Sequence, residues 1–119
     1  MTFDTDTFLQ NSYNDLSFAC EIAVAALDVI NRSLPDFEAA MAKEDAEAIY
    51  LSIHDMKSVT GTLQLDELHG VILKLETWAQ EDQLEACAVV AENFKTLTQQ
   101  AQEEIHQFIE GAQTSKPAK

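Results

Sequence analysis

Ile49-Tyr50-Leu51-Ser52-Ile53-His54-Asp55-Met56-Lys57-Ser58-Val59-Thr60-Gly61-Thr62-Leu63 carries two patterns at once. Ile49, Ile53, Met56, then Val59 or Thr60, then Leu63 recur every three or four residues, the period of a helix with one buried stripe. At about 100° per residue, His54, Ser58 and Gly61 share a sector roughly 60° wide opposite Met56, with Lys57 on its flank. Glu47 and Leu51 also fall on the outward side. If the stripe is core, His54 faces water. An imidazole with a lysine at i+3 and small residues at i+4 and i+7 has a cation beside it and little bulk around it. Such a face suits accepting and holding a phosphoryl group.

Working outward, Asp45 is placed as the N-cap of this helix. Asp66 is placed to cap the next, with Leu68, Val71, Ile72, Leu75 and Ala79 inward. Asp82 with Glu85 makes a D-x-x-E start for the last helix. Its stripe is Leu84, Cys87, Ala91, Phe94, Thr98, Ala101, Ile105 and Phe108, a spacing close to bundle packing. On the other side, a short helix near Asp4 to Gln10 precedes one with Leu16, Ala19, Cys20, Ala23, Leu27 and Ile30 on a common face. Phe18, Ile22 and Val29 lie off that face, so this helix is apolar on more than one side. Pro35 suits the first turn of a further short helix ending near Lys43. The expected fold is all-α, an antiparallel four-helix bundle with one or two additional short N-terminal helices. Residues 1–112 form the domain, and residues 113–119 are expected to be a disordered tail.

Composition agrees. A chain of 119 residues fits one domain, and three Gly with two Pro favour helix over a strand-rich fold. The formal charge of −14 argues against nucleic acid and against an anionic membrane surface as partners. The longest apolar run, Ile22 to Leu27, is far short of the ~20 residues a membrane span needs. The acidic N-terminus lacks the basic region of a secretory signal. Cys20 and Cys87 lie in apolar helical stretches and read as reduced core thiols, so a cytoplasmic location is expected. Beginning at a methionine and holding no second domain, the chain fits a free-standing protein as well as an excised module.

Glu103 and His106 form an E-x-x-H step, which carboxylate-bridged metal bundles use in pairs with further inward acids. The nearest second step is Asp66 with His69, with Asp in place of Glu. No H-E-x-x-H or cysteine metal motif exists, and no metal site is assigned. His69 and His106 read as structural or solvated.

His54, Lys57, Ser58 and Gly61, with the acidic cap and alanine-rich turn Glu44-Asp45-Ala46-Glu47-Ala48 before them and Leu63 nine residues after the histidine, resemble the histidine phosphotransfer (HPt) family of two-component phosphorelays. The likeness in helical plan covers roughly residues 3 to 110. Two positions depart: the family usually has glycine where this chain has Ser58, and often where it has Gln64.

The resemblance implies that His54 takes a phosphoryl group from a receiver-domain aspartate and passes it to a response-regulator receiver aspartate. The donor receiver would be linked to a hybrid sensor kinase. It implies no bound cofactor, with Mg²⁺ supplied by the partner receiver. No G-x-x-x-x-G-K-[ST] loop is present, so no autonomous kinase activity is expected. Lys57 would offset phosphohistidine charge, Ser58 and Gly61 would give the partner clearance, and Glu76, twenty-two residues after His54, is a candidate to hold the ring by Nδ1–H. Free imidazole titrates near ~6.5, so a neutral ring nitrogen is available at pH 7. Phe18, Ile22 and Leu51, with Phe8 and Tyr13, are candidates for a docking patch beside His54. Two rival functions are a bundle that binds a receiver without transferring phosphate, for which Ser58 is the motive, and a carboxylate metal-binding bundle.

Overall fold

The computed structural model describes residues 3–114, the side chain of Thr114 excepted, and all its regular elements are helices. They are α1 (Thr5–Asn11), α2 (Leu16–Ala42), α3 (Ala46–Thr62), α4 (Asp66–Gln80) and α5 (Leu84–Thr114). The four long helices pack in a ring, α2 against α3, α3 against α4, α4 against α5 and α5 against α2. Short loops reverse the chain each time, which makes the bundle antiparallel.

The loops share one device. After α2, Glu44 takes φ 53°, its N–H bonds the Met41 carbonyl, and the Asp45 N–H bonds the Ala40 carbonyl. Gln64 (φ 54°) repeats this after α3 and Asp82 (φ 57°) after α4. These are Schellman caps, which satisfy carbonyls the helix end would leave orphaned. Glycine is the usual occupant of the left-handed position, yet none of these three is glycine. The helix starts are of two kinds. Asp4, Asp15 and Asp45 accept from the backbone N–H of Thr7, Phe18 and Ala48, all at 3.1 Å. Asp66 does not cap α4: it is already the first helical residue, and Leu65 stands at the cap with no side-chain bond. Asp82 does not cap α5 either, because it is spent as the left-handed residue that closes α4.

Pro35 does not start a separate helix. It lies inside α2, which runs unbroken for 27 residues. A proline there is ~3 kcal/mol less favourable than alanine, because one N–H is missing and the ring crowds the preceding turn. Burial of Ser33, Leu34, Phe37 and Ala40 around it holds the helix on the core. One short helix therefore accompanies the four long ones. α5 continues to Thr114, so residues 113 and 114 are helical, and the remainder of the expected tail lies outside the described residues.

The core is one cluster. Ile49, Ile53, Met56, Leu68, Ile72, Leu75, Phe94 and Ile105 are buried within it, and Phe37 meets Phe94 with ring centroids 4.5 Å apart. α2 and α5 outrun α3 and α4. Their antiparallel register is marked by Glu38–Lys95 (3.2 Å) and Asn31–Gln102 (2.9 Å). Their far ends are closed by the N-terminal segment. Phe3, Phe8 and Phe108 meet there with centroids 5.3 to 5.8 Å apart, and the Phe3 N–H donates to Glu104 at 2.8 Å. Phe8 is thus core and cannot belong to a docking patch.

Candidate functional site

α3 turns Ile49, Ile53, Met56 and Thr60 into the bundle, which forces His54, Asp55 and Ser58 outward. His54 stands at the bundle surface with 49% of its side chain exposed. The neighbouring α4 buries Leu68, Val71, Ile72, Leu75 and Ala79, and that register brings Glu76 to the α3–α4 groove at the level of His54. Glu76 Oε2 lies 3.3 Å from His54 Nδ1, and Oε1 accepts from Lys57 Nζ at 3.0 Å. One carboxylate thus spans the imidazole and the lysine.

Glu76 is only 13% exposed. Burial pushes its carboxyl upward, but the hydrogen bonds and charges of Lys57 and His54 outweigh that and hold it below the usual carboxylate range. It is therefore ionised at neutral pH and acts as an acceptor. A neutral imidazole facing it donates from Nδ1, which leaves the lone pair on Nε2. Among the described residues nothing hydrogen-bonds Nε2.

Ser58 and Gly61 are exposed on the same side as His54. A Cβ at Gly61 would sit 3.6 Å from His69 Cε1, an ordinary contact, so the helix packing itself does not demand glycine there. His69 is structural: its Nδ1 is 2.8 Å from Thr60 Oγ1, tying α4 to α3 near their junction. His106 is exposed and lies 3.5 Å from Glu110. Glu103, His106 and Asp66 all face solvent, so the two E-x-x-H-like steps do not converge. Among the described residues no group of three or more His, Cys, Asp or Glu could hold a metal ion.

Of the expected docking residues, Leu51 is 60% exposed and one turn before His54. It lines a shallow groove in which Asp36 and Ala39 of α2, with Lys43 at its C-cap, face Ala48 and Ser52 of α3. Continuing that antiparallel register, Phe18 lies roughly 24 Å along the bundle from the level of His54. Phe18 is exposed, beside Tyr13, while Ile22 is half-buried against the core. These two sit with Tyr13 at the other end of the bundle, not next to the imidazole.

One neighbour was missed. The Tyr50 ring stacks on the His54 ring, with centroids 5.4 Å apart and planes at 27°. The two are an i, i+4 pair, and that spacing is the signal that could have found it.

The family model of the Hpt domain matches residues 21–111, a span that takes in α3 and α4 whole and most of α2 and α5. Among curated proteins and among solved structures no significant match was found. No helix among the described residues is long and apolar enough to cross a membrane. The family match and the all-helical bundle agree, and Hpt domains serve histidine phosphotransfer with receiver domains in phosphorelays: the chain belongs to the Hpt domain family.

Proposed function

We propose that this domain is a phosphorelay intermediate that takes a phosphoryl group on Nε2 of His54 from a receiver aspartate and gives it to a second receiver aspartate. The observation that carries the proposal is the His54–Glu76–Lys57 arrangement on a half-exposed ring. The Nε2 lone pair attacks phosphorus, the P–O bond of the aspartyl phosphate breaks, and the aspartate leaves with that electron pair. The Nδ1 proton stays on the ring, and the positive charge this creates faces the Glu76 carboxylate. Return of the group to an aspartate reverses each step. Mg²⁺ held by the receiver neutralises charge on the phosphoryl oxygens.

Lys57, already beside the ring, supplies a cation to the phosphoryl group. A unit pair at ~4 Å is worth ~4 kcal/mol at an effective dielectric of 20, and much less where water screens it. Ser58 and Gly61 keep the approach to Nε2 low. Leu51, exposed one turn before His54, is an apolar part of the docking surface. A standard footprint of ~800 Å² per partner is broad enough to reach from Leu51 toward Ile22 and Phe18. The reduced core thiols fit a cytoplasmic phosphoprotein.

The test is transfer from a phosphorylated receiver. Label should move to the domain as an acid-labile, base-stable adduct and be lost in His54→Gln. Stable binding without transfer would instead make the domain an adaptor.

A further inference from the structure

His54 is restrained on two sides, one of which the motif does not announce. Glu76 meets its Nδ1 edge, and Tyr50 covers one face. Tyr50 is half-buried and packs against the core, so its ring is itself anchored. The centroid distance of 5.4 Å lies within the range of offset-stacked aromatic pairs. A histidine on an exposed helix face ordinarily turns freely about χ2, a broad two-fold torsion. Here a partial turn that tilted Nδ1 away from Glu76 would also unstack the ring, and the full two-fold flip, which keeps the plane, would forfeit the Glu76 contact.

We infer that Tyr50 is a positioning residue for phosphoryl transfer. It holds the His54 imidazole in the plane that keeps Nδ1–H on Glu76 and Nε2 toward the incoming phosphorus. This rests on His54 being the acceptor. The ring of Tyr50 does this, not its hydroxyl, since the contact is an offset stack of ring on ring. Tyr50 never touches the phosphoryl group, and its effect passes through His54. Holding a nucleophile in its reactive orientation contributes to rate by removing unproductive orientations.

The experiment compares the parent with Tyr50→Phe and Tyr50→Leu, using two donors. One is a phosphorylated receiver domain and the other is phosphoramidate, which needs no docking surface. All proteins are assayed below their melting transitions. Tyr50→Leu should slow labelling by about three- to tenfold with both donors, the size expected for losing one aromatic pair. Tyr50→Phe should stay within about twofold of the parent. The His54 ring nitrogens, read by ¹⁵N–¹H spectra, should show the Nδ1–H tautomer in the parent and in Tyr50→Phe. In Tyr50→Leu they should move toward the mixed tautomers of free imidazole.

Slowing with the receiver donor alone would make Tyr50 a docking contact and overturn the inference. So would a Tyr50→Phe variant as slow as Tyr50→Leu, or unchanged ring nitrogens in Tyr50→Leu. His54→Gln is run alongside. Labelling that persists in it removes His54 as acceptor and takes this inference with it. Loss of label there, with parental rates in Tyr50→Leu, overturns the positioning role alone.

Discussion

His54 and Glu76 lie on adjacent helices, twenty-two residues apart, and meet edge-on: Nδ1 of the imidazole is 3.3 Å from Oε2 of the carboxylate. The contact is made by packing. Met56 and Thr60 on α3, and Ile72 and Leu75 on α4, fix the rotation of the two helices and so the groove in which the pair sits. The same carboxylate holds Lys57 at 3.0 Å, so the side chains proposed to perform and assist transfer share one carboxylate.

Glu76→Ala should slow transfer from a phosphorylated receiver by about tenfold or more, because the ring loses its Nδ1 partner and Lys57 its tether. Glu76→Gln keeps an acceptor oxygen for one of them and should fall between the variant and the parent. Both His54 and Lys57 remain partly in water, so the fold should lose no more than ~1 kcal/mol. Transfer rates and thermal unfolding, measured side by side, check both parts.

The pH dependence follows from the Glu76 carboxyl, which is depressed below its unfolded value. A depressed carboxylate stabilises the fold fully above the unfolded pKa, and that contribution is lost as pH falls through the folded pKa. The loss should therefore come on the acid side, below the ordinary glutamate range. Lys57→Ala removes one of the causes of the depression and should move the Glu76 titration upward, read from its side-chain carboxyl resonance. An unmoved titration would mean that Lys57 does not engage Glu76 in solution.

Gln64→Gly should stabilise the domain by about 1 kcal/mol. Gln64 is an exposed residue in the left-handed region at φ 54°, where a side chain costs roughly 1–2 kcal/mol that glycine avoids, offset by glycine's greater freedom when unfolded. The family's frequent glycine at this position has its physical reason in that loop. Thermal melts of the single variant decide it.

Thr98→Val should also stabilise, by about 1 kcal/mol. Thr98 is fully buried in α5 and its hydroxyl finds no partner. Replacing it with a methyl of similar shape removes an unsatisfied polar group. A lower melting temperature in the variant would show that the hydroxyl is bonded after all.

Much of this architecture is written in the period of the apolar residues. All five inward residues expected on α4 are buried, and so are Ile49, Ile53, Met56, Thr60 and Leu63 around α3. That periodicity also turned His54 outward and placed Glu76 within reach. What escaped was set by longer-range terms. Pro35 reads as a helix start from local chemistry, but the packed face of α2 overrides it. Asp66 and Asp82 are good capping residues, yet chain reversal by Schellman turns moved each helix start by one position. Phe8 reads as a surface aromatic because Phe3 and Phe108, its partners, are far away in sequence or outside any periodic stripe. The Tyr50–His54 stack was local and visible in its spacing, but Tyr50 lies between the stripe and the outward sector and belongs to neither.

Phosphoryl transfer to His54 is tested most directly by incubating the domain with a ³²P-labelled receiver and mapping the adduct. The expected result is a single acid-labile, base-stable phosphohistidine at His54, absent from His54→Gln, which keeps the parent's melting temperature to within a few degrees. Label on another residue, or equal labelling of His54→Gln, would contradict it.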